Sequence, residues 1–238
     1  MLFLAVFCGF LAENQREHYI EKVRAKQYAK SLVNDLIEDT AMIKRIIRQA
    51  NHEFRLINRL SDYLRDKPIE QIKNIDLFVT DIDIYRPYTW NRTTLEQIKN
   101  SGSIRYFTND SIIYRLSAYD AFTRHMDEDY AGDQERLNKV IDLRNQVCNQ
   151  NYHSEFREIV SSTRYRSLDS LMKTDTYIEM GKNGPGLLTR NIHDIEVYTN
   201  EIIGLGERLR TRSEVELPEL LQDAEKLIIF LRGEYHLE

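Results

Sequence analysis

The start of the chain restricts the fold more than any other stretch. Between Leu2 and Lys67 there is no proline, and the single glycine is Gly9. Because proline and glycine are the residues that most often interrupt helices, this run predicts one long helix, or two helices end to end, that closes at Pro68. Its first part, residues 1–12, is uncharged, and its remainder is rich in charge.

Apolar residues recur along the second half of this run in alternating steps of four and three. This heptad spacing predicts that one face of the helix is buried against other helices. Additional apolar residues at 32, 37, 46 and 60 widen the face, which favours a globular bundle over a two-stranded coiled coil. A groove for a partner helix is the alternative. The spaced positions are Ala29, Val33, Leu36, Thr40, Ile43, Ile47, Ala50, Phe54, Ile57, Ser61 and Leu64.

The composition favours an all-α protein. Nine glycines and four prolines in 238 residues are too few for the many turns of an all-β fold. We predict an irregular helical bundle with a long N-terminal helix and a C-terminal helical hairpin. The first helix of the hairpin covers about 187–212, and the last helix has Pro218 within its first turn. The predicted organisation is an apolar tip (1–12), a stalk (13–28) and a bundle (29–238), with 13–238 forming a single domain.

The tip, MLFLAVFCGFLA, predicts contact with a membrane. As a helix it would rise about 18 Å, whereas a full crossing needs about 20 residues. It lacks the basic start and the small-residue cleavage site of a signal peptide. We therefore interpret it as the end of a spanning helix that begins upstream of Met1. The alternative is a buried helix end. Cys8 and Cys148, the only cysteines, exclude a disulfide framework and a structural zinc site of their own.

Charge is distributed unevenly along the chain. The net charge of −5 argues against general nucleic-acid binding. Residues 14–67 nevertheless carry twelve Lys or Arg and eight Asp or Glu, a balance of +4. Basic residues next to the tip could bind anionic lipid headgroups, or they could belong to a solvated helix face. We call this set the basic collar, and it consists of Arg16, Lys22, Arg24, Lys26 and Lys30.

An aromatic segment, residues 80–94, interrupts the helical pattern at Pro87. We expect its rings to dock on the bundle, although Tyr85, Tyr88 and Trp90 could instead form a patch for a ligand or partner.

Catalytic motifs are absent from the sequence. His125 lies beside Asp127, Glu128 and Asp129, but four neighbours on one helix point in different directions. The Asp81–Asp83 pair could hold a hard cation, yet no glycine or distal glutamate completes a calcium loop. We therefore predict no catalytic, cofactor-binding or metal-binding residues, with a metal-assisted hydrolase that uses these groups as the enzymatic alternative.

Two stretches resemble a bacterial family of uncharacterised, N-terminally anchored, single-pass helical proteins. They are GFLAENQREHYIEKVRAKQYAKSLVNDLIEDT (9–40) and TTLEQIKNSGSIRYFTNDSIIYRLSAYD (93–120). The resemblance implies a membrane helix that ends at Ala12-Glu13-Asn14, and a domain on the periplasmic side of the inner membrane. The basic collar alone would place the domain in the cytoplasm.

The sequence as a whole predicts a membrane-anchored, non-catalytic interaction or scaffolding domain. An unidentified protein partner fits this function. The alternative is a ligand-sensing helical domain in which residues 80–94 act as an aromatic lid.

Overall fold

A computed structural model of the chain describes residues 2–73, 87–149, 173–183 and 186–237. Within these ranges the protein is all-α, as predicted, and has no strand beyond an isolated bridge between Lys73 and Gly186. The helices are α1 (Leu2–Asp66), α2 (Thr93–Asn100), α3 (Asp110–Val147), α4 (Asp175–Asn183), α5 (Ile192–Thr211) and α6 (Leu217–Tyr235). Turns of 3₁₀-helix lie at Ile69–Gln71 and Ser103–Tyr106, and a π-helical turn lies at Arg212–Glu216.

Helix α1 confirms the prediction of one long N-terminal helix with a buried face. All the heptad positions are buried except Ile47 and Phe54, which are half-buried. The two polar positions are satisfied within the helix, because Thr40 donates to the carbonyl of Ile37 and Ser61 to that of Ile57, both at 2.8 Å. The hydroxyls of these two residues are therefore hydrogen-bonded even though they lie in the buried apolar face.

The chain groups into two compact units. Unit 1 comprises Met1–Arg45, Pro87–Asp127 and Glu216–Glu238, and unit 2 comprises Ile46–Arg86 and Glu128–Val215. Helices α1 and α3 contribute residues to both units, so this grouping leaves the single-domain interpretation a prediction.

Unit 1 has its core between α1, α2, the first part of α3, and α6. Near the C-terminus, the ring of Phe107 packs edge-on against that of Tyr235, with centroids 6.0 Å apart. A surface ion pair, Lys44 to Glu225 at 2.8 Å, joins α1 to α6. The buried apolar residues include Ala29, Leu32, Leu36, Ile43, Leu95, Ile98, Ile112, Leu116, Leu220, Leu227 and Leu231.

Unit 2 has its core between the end of α1, the second part of α3, and α5. Gly206 allows α5 to approach α1 closely, since a Cβ atom there would lie 2.7 Å from Cγ2 of Ile57. The buried apolar residues include Ala50, Ile57, Leu60, Leu64, Leu137, Val140, Val147, Ile195, Tyr198, Ile202, Leu205 and Leu209.

The C-terminal part of the chain differs from the predicted hairpin. No reversing loop separates α5 from α6, because Arg212–Glu216 continue as a π-helical turn. Arg212 and Glu216, the first and last residues of this turn, both have right-handed helical dihedral angles. Pro218 lies in the first turn of α6, directly after this π-helical turn. Proline at such a position is typical of a helix start, but a wider π turn just before it also accommodates the ring.

Candidate functional site

The apolar tip is the most exposed apolar feature of the described chain. Ala25 is the first residue of α1 that the structure describes as buried. The six large tip side chains lie between 45% and 81% exposed. They are Phe3, Leu4, Val6, Phe7, Phe10 and Leu11. A monomeric soluble protein rarely exposes such a contiguous set, so this segment is a candidate contact surface.

The structure corrects the predicted membrane localisation. None of the helices in the described ranges combines the length and apolarity needed to cross a bilayer. The physical reason is that Glu13, Arg16 and Glu17 follow the tip so closely that any window of spanning length includes all three. The prediction of a single-pass bacterial inner-membrane protein with a periplasmic domain is therefore wrong.

The charge of α1 changes along the part of the helix that carries the basic collar. Residues 13–21 carry three glutamates and one arginine, whereas residues 22–30 carry four basic side chains and no acid. The unneutralised part of the collar therefore starts at Lys22, about 15 Å along the helix from Ala12.

The individual collar residues have different surroundings. Arg16 forms hydrogen bonds to Glu13, and these lower the pKa of that carboxyl. Arg24 donates to the hydroxyl of Tyr106 at 3.1 Å, and Lys26 donates to the carbonyl of His236 at 3.4 Å. Among the described residues, Lys22 and Lys30 have no hydrogen bond or ion pair. The collar therefore does not present five equivalent charges to a partner.

The aromatic segment packs inward where the structure describes it. Tyr85 lies outside the described residues. Tyr88 is buried, and its ring centroid is 5.0 Å from that of Trp90. The indole N–H of Trp90, which is half-buried, donates to Asp127 at 2.8 Å. The predicted docking of these rings on the bundle is thus supported by the hydrogen bond of Trp90 to α3 and by the burial of Tyr88, while their role as a ligand patch stays a prediction.

Two carboxylates of α1 connect this segment to α1 and α3 through hydrogen bonds. The backbone N–H of Asn91 donates to Asp39 at 2.8 Å, and that of Thr94 donates to Asp35 at 3.0 Å. Tyr119 donates its hydroxyl to the other oxygen of Asp39 at 2.9 Å. Burial raises the pKa of Asp39 and of Tyr119, and hydrogen bonds from Asn91 and Tyr119 oppose the shift at Asp39.

Arg92 completes the same arrangement. It contacts Asp127 at 2.8 Å and Asp120 at 3.7 Å, and Asp120 also accepts from Lys99 at 2.6 Å. The cavity among these side chains measures only about 20 Å³, whereas ligand pockets measure about 300–1,000 Å³. The arrangement therefore stabilises packing and leaves no room for a small-molecule ligand.

Of the acidic residues considered as metal ligands, two lie outside the described ranges and two others already have partners. Asp81 and Asp83 lie outside the described residues. Asp127 is held by Arg92 and Trp90, and Asp129 forms an ion pair with Arg212 at 3.1 Å. Those two acids of the His125 cluster therefore already have cationic or N–H partners.

A buried ion-pair network in unit 2 was missed by the sequence analysis. Asp133 is fully buried and contacts Arg208 at 3.3 Å and Arg212 at 3.1 Å, and Arg212 also reaches Asp129. The sequence contains a matching pattern: two acids four residues apart on α3, Asp129 and Asp133, face two arginines four residues apart, Arg208 near the end of α5 and Arg212 in the π-helical turn.

Comparisons with known proteins add no identity to these observations. No protein-family model matches the chain, and neither does a curated protein or a solved structure. The resemblance to N-terminally anchored bacterial proteins therefore stays a prediction.

Proposed function

We propose that the protein is a non-catalytic helical interaction domain that attaches to a lipid surface through the tip of α1. The tip would enter one leaflet without crossing the bilayer. The observation that supports this most is the exposure of six large apolar side chains on residues 3–11. The two units would then remain at the surface, available to a protein partner.

The size of the tip suits one leaflet. From Leu2 to Ala12 a helix rises about 15 Å, half of a hydrocarbon core of about 30 Å. Burying a large apolar side chain is worth about 1.5–3 kcal/mol, so six partly exposed ones offer on the order of 5–10 kcal/mol. Glu13 and Arg16 follow where the polar headgroups begin, and their mutual ion pair lowers the cost of that position.

The non-catalytic part of the proposal rests on how the acids are used. Asp39, Asp120, Asp127 and Asp133 all accept from neighbouring side chains or backbone groups in packing contacts. The ligand-sensing alternative has less support, since the described part of the 80–94 segment encloses a cavity of about 20 Å³.

Vesicle flotation tests the proposal. The full chain should float with phosphatidylcholine vesicles, and the variant Phe3→Ser/Phe7→Ser/Phe10→Ser should bind at least about tenfold more weakly because it removes all three aromatic side chains of the tip. The matched control is Tyr114→Ser/Ile229→Ser, which removes two large side chains exposed by more than 70% on α3 and α6. This control should float like the unmodified chain.

The proposal fails if the unmodified chain stays at the bottom of the gradient with both neutral and anionic vesicles. A soluble oligomer that the tip variant converts to a monomer, with no flotation of either, would assign the tip to a second copy of the chain and would equally overturn lipid attachment.

A further inference from the structure

Two arginines converge on one tyrosine at the surface of unit 1. Arg24 lies on α1, and Arg105 and Tyr106 lie in the 3₁₀ turn Ser103–Tyr106. Arg24 donates from Nη1 to the Tyr106 hydroxyl at 3.1 Å. The guanidinium carbons of Arg24 and Arg105 lie 5.8 Å and 5.4 Å from the centre of the tyrosine ring. The ring therefore positions both cations through cation–π contacts.

These two guanidiniums have no acid partner among the described residues, in contrast to three exposed arginines elsewhere in the chain. Arg16, Arg65 and Arg210 each pair with a carboxylate three residues away. Arg24 and Arg105 form no ion pair with any described residue. Both are exposed, so solvent and ligands can reach them.

The positive charge of the two arginines affects the pKa of Tyr106. Hydrogen bonds from Arg105 and Arg24, together with their charges, lower the pKa of the Tyr106 hydroxyl, although burial opposes the shift. A neutral phenol is a modest acceptor for two guanidiniums. An oxyanion accepts charge-assisted hydrogen bonds, which are about twice as strong as neutral ones.

We propose that Arg24, Arg105 and the Tyr106 hydroxyl form a binding site for a phosphate group. A guanidinium presents paired N–H donors that match phosphate oxygens bidentately, and two of them on one phosphate would neutralise its charge. The site goes beyond the proposed lipid attachment and does not depend on it. Its phosphate could belong to a soluble molecule or to a phosphomonoester lipid headgroup.

Geometry separates this site from the layer that the tip would enter. Arg24 lies about 18 Å along α1 from Ala12, whereas a headgroup layer is only about 5–8 Å thick. A phosphate of the membrane that holds an upright tip would thus lie below the site. A soluble phosphate, or the headgroup of a differently oriented membrane, would reach it.

The first experiment uses inorganic phosphate and the full chain. The arginine side-chain NMR signals are followed during a phosphate titration, with sodium chloride holding the ionic strength constant. The Arg24 and Arg105 signals, assigned by their loss in R24Q and R105Q, should shift saturably. In R24Q/R105Q, whose circular dichroism should be unchanged, the affinity should fall at least about tenfold, because each charge-assisted bond to the ligand contributes substantially.

Two further variants keep the result interpretable. R115Q removes a guanidinium that lies over the ring of Phe230 at 4.8 Å rather than over that of Tyr106, and the phosphate affinity of this variant should stay within about twofold of the unmodified chain. R24K/R105K keeps the charge and loses the fork, so its affinity should lie between those of the unmodified chain and R24Q/R105Q. If the glutamine variant fails to fold, the lysine variant still tests the site.

A second arm distinguishes the sources of phosphate. Phosphatidic acid vesicles are titrated into the tip variant Phe3→Ser/Phe7→Ser/Phe10→Ser, which removes binding through the tip. Shifts of Arg24 and Arg105 with vesicles but not with free phosphate would assign the site to a lipid headgroup and support it. The proposal is overturned if neither probe produces saturable shifts, or if chloride at equal ionic strength produces the same shifts. Neither result bears on flotation with phosphatidylcholine.

Discussion

Asp133→Ala should lower the free energy of unfolding by about 3–5 kcal/mol, the usual cost of removing one partner from a buried ion pair. Asp133 is completely buried, and Arg212, which it contacts at 3.1 Å, is only 7% exposed. Without Asp133 the Arg212 guanidinium loses a buried carboxylate partner, while the desolvation cost of burying its charge remains. Urea unfolding monitored by circular dichroism measures the change.

The matched control is Asp62→Ala, which removes the partner of Arg65 at a site where both side chains are more than half exposed. Its effect should stay below about 1 kcal/mol, because exposed pairs contribute little. Adding Arg212→Met to Asp133→Ala should restore part of the lost stability by removing the buried charge that Asp133 no longer neutralises. A loss below about 1 kcal/mol for Asp133→Ala would show that the network is not a stabilising contact.

Ile57→Ala should lower the free energy of unfolding by about 2–5 kcal/mol, the range for truncating a fully buried isoleucine. Ile57→Ala should also change the effect of Gly206→Ala on stability from a loss to a gain. Gly206→Ala alone should destabilise by about 1–3 kcal/mol, because its new Cβ would meet Ile57 Cγ2 at 2.7 Å. In the Ile57→Ala background that atom is gone, and alanine should instead stabilise the helix by about 0.5–1 kcal/mol.

Urea unfolding of the four proteins, unmodified, each single variant and the double variant, measures this coupling directly. Ile229→Ala, at a position 71% exposed on α6, should change stability by less than about 0.5 kcal/mol and serves as the control. Additive effects of Ile57→Ala and Gly206→Ala would contradict the close contact of α1 with α5.

The regular part of the fold could be predicted from the sequence because it depends on local pattern. The heptad spacing in α1 persists over many turns, so a few polar positions such as Thr40 and Ser61 do not obscure the buried face. The all-α class followed from the low content of glycine and proline. These signals lie within a single segment of the chain and require no knowledge of its neighbours.

Element boundaries depended on distant partners that the local pattern does not contain. Thr93 and Glu96 match a capping box, yet α2 begins at Thr93 with Arg92 as its N-cap residue and no side-chain cap there. The free N–H groups of its first turn are met instead by Asn91 at 3.3 Å and by Asp35, 59 residues earlier, at 3.0 Å. A neighbouring asparagine and a distant aspartate thus take the place of the predicted threonine cap.

The candidate sites also combine features that a local sequence pattern shows with features that depend on distant residues. The apolar tip was visible in composition, but its exposure depends on what the rest of the chain leaves uncovered. Arg24 could be assigned to a basic collar, whereas its convergence with Arg105 on Tyr106 joins residues more than 80 positions apart. No periodicity in a single sequence contains that information.

Fluorescence from Cys8 tests the attachment of the tip to lipid most directly. Cys8 is exposed in the middle of the tip, and Cys148, the only other cysteine, is buried, so an environment-sensitive dye can be placed at one position. With phosphatidylcholine vesicles the account predicts a blue-shifted emission that quenchers on lipid acyl chains reduce, and no such shift in Phe3→Ser/Phe7→Ser/Phe10→Ser. Emission that stays as in water at every lipid concentration would contradict it.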